Sequence, residues 1–200
     1  MDKSVRRYAG LYRKALEEFN YSDIDGLMKR YEMRLKNMYD SPAFKAHNIY
    51  PSMNVVLIYA VIAMCLELKE KGLSDQKIME FSDTVFRKRK KAVAILEKII
   101  AALPGTYRIV EKWNIDDHEK RVKDKSITYD LFEVEDGKIE YRISRCMYVE
   151  IFAYYGIRSL CRIFCNTDIS AYSQLERKVR FRRYSDLSDK DCCHDVIERR

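Results

Sequence analysis

The hydrophobic repeat of this chain changes at Pro104-Gly105, and that change limits the folds open to it more than any other feature. Before it, apolar residues recur at helical spacing. Val5, Tyr8, Leu11, Tyr12, Leu16 and Phe19 mark one stripe, and Leu27, Tyr31 and Leu35 mark another. The second follows Ser22-Asp23-Ile24-Asp25, an N-cap pattern. Pro42 and Pro51 bracket a connection. Ser52 is expected to cap the most apolar helix, which ends near Gly72 with Lys69 and Lys71 at its negative dipole end. Ser74 starts a long helix running to about Leu103.

Beyond Pro104-Gly105 the repeat is two. Ile127, Tyr129 and Leu131 alternate with Thr128, Asp130 and Phe132, and Ile139, Tyr141 and Ile143 alternate with charged residues. Asp136-Gly137 between them is the favoured pair of a tight primed hairpin turn. A short helix over 147–155 stops at Gly156, helical pieces and turns fill 157–175, and strands are expected over 178–184 and 193–199. The reading is α+β: a helical N-terminal half of about four helices, packed on a C-terminal antiparallel sheet interrupted by short helices. A chain of 200 residues suits one sizeable core. A single domain over 1–200 is therefore expected, with a helical layer over 1–105 and the hairpin, short helices and sheet over 106–200.

Hydrophobic residues at 47% and charged residues at 34% describe a globular chain. No apolar stretch follows the first seven residues, so no secretory signal is read there and the cytoplasm is expected. The run Val55 to Leu66 falls short of the roughly 20 residues a bilayer-spanning helix needs, so a buried helix and no membrane association are expected. The net charge is +7, with its densest cluster at Arg87-Lys88-Arg89-Lys90-Lys91. Without the interleaved aromatics and glycine loops of RNA-binding modules, this reads as a solvated helix stretch, and no nucleic-acid partner is expected. The basic helix and many tyrosines are compatible with a homodimer.

Five of the six cysteines fall in the last third: Cys146, Cys161, Cys165, Cys192 and Cys193. In the cytoplasm they are expected as reduced thiols. Cys146 stands where a strand hands over to a helix, so the first helical N–H groups point near its sulfur and favour thiolate. That is a position for a nucleophile, or for a small buried hydrophobe. Glu150 lies one turn further on. In Cys165-Asn166-Thr167-Asp168, Asp168 can cap a short helix or position a substrate amine or water. Cys161 shares a helical face with Cys165, as plain packing also would require. Strand alternation sends Cys192 and His194 to one face and Cys193 and Asp195 to the other. Cys161 and Cys165 lack a matching second pair, so neither a structural zinc nor another cofactor is expected. His47 and His118 read as surface residues in connections. No phosphate loop, dinucleotide fingerprint, Gly-x-Ser-x-Gly elbow or His-Glu-x-x-His motif occurs, which argues against nucleotide-driven chemistry and the common hydrolase folds.

A family resemblance rests on five stretches: Ile143 to Phe152, Gly156-Ile157, Ile163 to Asp168, Val179 to Arg183, and Asp191 to Asp195. Together they give a Cys, a nearby Glu, a Gly, Phe-Cys-x-x-Asp, an arginine-rich strand and a closing cysteine. This pattern resembles the L-2-amino-thiazoline-4-carboxylic acid hydrolase family. Met147 stands where members often carry Pro. The resemblance implies hydrolytic opening of a small cyclic amidine bearing a carboxylate. It implies Cys146, Cys165, Asp168 and Cys193 as catalytic residues, and Glu150, Arg145, Arg180 and His194 as substrate-binding residues. Water or the Cys146 thiolate would attack the ring carbon between nitrogen and sulfur. Asp168 or Glu150 would hold the ring amine, and Arg145 or Arg180 would clamp the carboxylate. The competing reading is a non-catalytic domain that senses a small molecule or a metal through its thiols.

Overall fold

The structure, a computed structural model, describes residues 2–89 and 99–200, the side chains of Asp2, Arg87, Lys88 and Arg89 excepted. The basic cluster Arg87 to Lys91 therefore lies outside the described side chains, and the middle of the expected long helix lies outside the described residues. The chain divides into two compact units, Met1–Lys88 and Arg89–Arg200. Helices dominate the first, and the second carries a four-stranded antiparallel sheet.

In the first unit, α1 (Asp2–Glu18) and α4 (Ser52–Glu70) both pack on α2 (Ile24–Tyr39). Asp23 caps α2 by accepting from the Gly26 N–H at 3.0 Å. The stretch between Pro42 and Pro51 is more ordered than a connection. Ser41 accepts from the Phe44 N–H, and a short helix, α3 (Pro42–His47), follows. Its last residue, His47, sits 2.7 Å from the Tyr59 hydroxyl. α5 (Asp75–Arg89) completes the unit.

By length and composition α4 could cross a bilayer, because its helical span of 19 residues exceeds the apolar run visible in the sequence. It is apolar on every side because it is buried on every side: Ile58, Tyr59, Ile62 and Cys65 are all buried. One charge enters this core. Glu67 is 2% exposed and is held by Arg34 Nε at 2.6 Å and Arg30 Nε at 3.3 Å. Those bonds offset the cost of dehydrating its carboxylate.

In the second unit, α6 (Thr106–Lys123) precedes the hairpin of β1 (Ile127–Glu135) and β2 (Lys138–Cys146). His118, expected in a connection, stands on α6 with its ring stacked on Phe132 at 3.8 Å. β2 runs into α7 (Met147–Tyr154), which ends before Gly156 at φ +71°. A 3-10 turn (Arg158–Cys161) and α8 (Arg162–Ser173) lead to β3 (Val179–Ser185) and β4 (Cys193–Arg199). The sheet order is β1-β2-β4-β3. Its core face packs Ile139, Val179 and Ile197 on Tyr107 and Val110 of α6 and on Leu175.

Two paired irregularities set the faces of the hairpin. Tyr129 pairs with Ile143 and Thr128 with Arg145, so Ser144 is an extra residue on β2. Leu131 pairs with Arg142, so Asp130 is an extra residue on β1. The two extra residues bond each other, Ser144 Oγ donating to Asp130 Oδ1 at 2.6 Å. Each bulge reverses the inward set beyond it. Simple alternation would leave Phe132 outside; instead it joins Tyr129 on the inner face.

The turn also differs from expectation. A primed turn of type I′ needs positive φ at both central residues, and only Gly137 has it, at φ +80°. The Asp136 carboxylate engages Arg199 at 3.3 Å. Replacing Gly137 with Ala should cost about 1–2 kcal/mol for the left-handed backbone, read as a lower urea midpoint at unchanged slope. An unchanged midpoint would mean that the turn re-forms without that conformation.

Candidate active site

Three elements of the second unit enclose one pocket of about 470 Å³. Each supplies side chains at its own period. From α6, Val110, Asn114, Asp117 and Arg121 recur every three or four residues and so share one helix face. From α8, Cys165, Asp168 and Tyr172 do the same. The sheet adds a row of directly opposed residues, one per strand: Phe132, Tyr141, Asp195 and Arg183. Cys193 and Ile143 pair in the next row, and Cys146 follows beyond the bulge.

Arg183 is the charged centre of this arrangement. Its Nε and Nη2 each donate to Asp195 at 2.8 Å, a two-pronged pair between opposed residues of β3 and β4. Its Nη1 donates to the Cys165 carbonyl at 3.1 Å, and Nη2 reaches Asp168 at 3.4 Å. The side chains of Asp195 and Arg183 are 2% and 12% exposed. Arg121, across the pocket, bonds both oxygens of Asp117 through Nε at 3.1 and 3.2 Å and also hydrogen-bonds Tyr148.

The thiols meet three different environments. Cys146 caps α7, and the Val149 and Tyr148 N–H groups do point at its sulfur. Burial outweighs them, however, and the thiol is pushed up to about 11 rather than down. Cys193 is likewise pushed up by burial, to about 12, although the Leu187 N–H donates to its sulfur at 3.3 Å. Cys165 moves the other way. A hydrogen bond from Cys161 lowers it, and Arg183 adds to the effect against the cost of burial. Cys161, fully buried, is raised in turn. The charges of Cys146, Cys165 and Cys193 act on one another, as sulfurs in one pocket should.

Of the residues expected at the site, Cys146, Cys165, Asp168 and Cys193 line the pocket. Asp168 lies inside α8 rather than at its cap. Arg145, Glu150, Arg180 and His194 do not line it. The bulge at Ser144 turns Cys146 inward and Arg145 outward, where Arg145 Nε donates to Glu150 at 2.7 Å. Arg180 is exposed on the outer face of β3, and the inward arginine is Arg183. His194 faces outward with Cys192 and contacts Glu140 at 2.9 Å. Asp117, Arg121, Arg183 and Asp195 were missed. The spacing of Asn114, Asp117 and Arg121 held a signal, had 106–123 been read as a helix. Among the described residues, no group of three or more His, Cys, Asp or Glu side chains is placed to hold a metal ion.

The chain is a member of the L-2-amino-thiazoline-4-carboxylic acid hydrolase family, which matches residues 54–195. That stretch contains every residue lining the pocket. No curated protein and no solved structure matches the chain.

Arg183→Leu should destabilise the second unit by about 3–5 kcal/mol, because it leaves the Asp195 carboxylate buried and unpaired. The double variant Arg183→Leu/Asp195→Leu should recover part of that loss in urea unfolding. A double variant no more stable than Arg183→Leu would mean that the buried charge is not the cause.

Proposed function

We propose that this pocket hydrolytically opens a small cyclic amidine such as 2-amino-thiazoline-4-carboxylate, in a reducing compartment such as the cytoplasm, with Cys165 as the nucleophile. The observation that carries the proposal is geometric: Cys165 lines the pocket one helical turn from the Asp168 carboxylate, and Arg183 donates both to its carbonyl and to Asp168, beside a thiol that the Cys161 hydrogen bond and Arg183 shift toward thiolate. Family membership supplies the reaction class.

The charges suit such a substrate. Three carboxylates, Asp117, Asp168 and Asp195, and the Cys165 thiolate face two guanidinium groups, Arg121 and Arg183, which leaves a negative surplus to meet an amidinium. Arg183 has committed most of its five N–H donors to Asp195, Asp168 and the Cys165 carbonyl. Arg121 retains terminal N–H groups beyond those used on Asp117 and Tyr148, so it is the better clamp for a substrate carboxylate.

The reaction then balances as follows. Asp168 holds the amidinium, and the Cys165 thiolate adds to the carbon between nitrogen and ring sulfur. The adduct collapses, the bond from that carbon to the ring sulfur breaks, and the sulfur leaves with the proton of the Cys146 thiol. Water adds to the same carbon and returns a proton to Cys146. The bond to Cys165 breaks, its thiolate is regenerated, and the proton brought by the amidinium passes to solvent. The product is a free thiol bearing an N-carbamoyl group. In this scheme the raised Cys146 is a proton donor rather than a nucleophile, which is what burial makes it suited for.

Cys165→Ser should lower kcat/KM for ring opening by about a thousandfold or more, and Cys146→Ala by about a hundredfold. Mass spectrometry of wild-type protein quenched during turnover should find the adduct on Cys165. Because the pKa of Cys165 is lowered, activity should rise with pH through an acid limb lying below the usual thiol range. A Cys165→Ser enzyme of wild-type rate would falsify the nucleophile assignment. Saturable binding of the substrate with no turnover at any pH would select the non-catalytic binding domain instead.

A further inference from the structure

The pocket is larger than the ring in the family's name. Resting on the reading above, we infer that the substrate carries an aromatic or comparably flat apolar arm in addition to its amidine and carboxylate. Cavities of roughly 300–1,000 Å³ take ligands of drug size, and this one, at about 470 Å³, lies within that range. One five-membered ring with an amine and a carboxylate fills only part of it.

The lining is divided in the way such a substrate requires. Asp117, Arg121, Cys165 and Asp168 supply the charge and the thiol from the two helices. The sheet supplies rings. Tyr129, Phe132 and Tyr141 form a cluster with centroids 5.9 to 6.3 Å apart, meeting edge-on and offset. Tyr172 adds a fourth ring from α8, with its orientation fixed by the Asn114 side chain at 3.0 Å and by stacking on Phe181 at 4.6 Å. Phe132, Tyr141 and Tyr172 pack against the buried core yet are themselves only partly buried, and all of them line the cavity. A small polar ring at the charged part would leave the uncovered sides of these rings wet. A flat apolar arm would cover them in the offset and edge-to-face contacts that aromatic rings favour.

Acetamidine and benzamidine test this as a matched pair, since both are amidinium cations and they differ in the phenyl ring. Binding is measured by calorimetry and by the emission of Trp113, the only tryptophan of the chain, which lines the pocket and is 44% exposed. Benzamidine should bind at least about tenfold more tightly than acetamidine. In Tyr141→Leu and in Phe132→Leu that ratio should fall below about threefold, with acetamidine affinity unchanged. Two positions are used so that loss of fold in one variant, seen by circular dichroism, leaves the other to decide. Equal binding of the two cations by the wild type would overturn the inference, as would a ratio that survives in a folded leucine variant. Hydrolysis of 2-amino-thiazoline-4-carboxylate is assayed in parallel. Ring opening without the phenyl preference removes the arm and leaves the hydrolase reading standing. The preference without ring opening keeps the arm and removes hydrolysis.

Discussion

The Arg183–Asp195 pair joins the parts of the pocket that come from distant sequence. Within the sheet it links opposed residues of β3 and β4. Through Nη1 and Nη2 the same guanidinium reaches the Cys165 carbonyl and the Asp168 carboxylate on α8. One planar group with five donors thus fixes the position of the helix that carries the thiol relative to the strand that carries the acid. A lysine could match the charge but not the fork. Taking two ions out of water is costly, and the geometry here recovers that cost through parallel bonds to Asp195. The guanidinium also lies close enough to Cys165 to favour its thiolate, so one interaction serves both the architecture and the chemistry.

Thiol chemistry in this pocket is decided by competition between burial and nearby donors. Cys146 has two helix N–H groups near its sulfur and is still raised, because removal from water costs the thiolate more than two neutral donors return. Cys193 has one backbone donor and is also raised. Cys165 gains a thiol donor from Cys161 and a cation from Arg183, and the balance reverses. All three thiols have an arginine nearby, so neither a helix N-terminus nor a cation alone decides thiolate character here; the Cys161 hydrogen bond is what sets Cys165 apart.

Much of the fold was legible in the residues, because both repeats are strong there. The Asp23 cap, the apolar α4, the hairpin and the strands β3 and β4 follow from local pattern. The assignment of Cys193 and Asp195 to one face of β4 follows from alternation alone. Alternation failed wherever an extra residue entered a strand. Asp130 and Ser144 look like ordinary outward polar residues, and nothing in the sequence marks them as bulges. They nevertheless decide that Phe132 and Cys146 face inward and Arg145 outward. Arg180 and Arg183 are three apart on one strand and so cannot share a face. Arg183 shares its parity with the apolar Val179 and Phe181, so alternation along β3 already turns it inward and Arg180 outward. Asp117 and Arg121 were missed for a plainer reason: α6 is polar along most of its surface, so its apolar stripe is too thin to announce a helix.

The bulge pair also bears on how the site is held. The Ser144–Asp130 bond closes the two irregularities on each other, so the extra residues make a joint that is itself hydrogen-bonded. Beyond that joint β2 delivers Cys146 to the first turn of α7, and Met147 N–H donates to the Ser126 carbonyl at 2.9 Å. The strand end, the helix start and the end of α6 are thereby tied together within a few residues. A flat hairpin would have carried Arg145 into the pocket and Cys146 out of it, exchanging a thiol for a second cation beside Arg121. The pocket would then gain a positive charge and lose a thiol together. The bulges are what line this wall of the pocket with a thiol rather than a guanidinium.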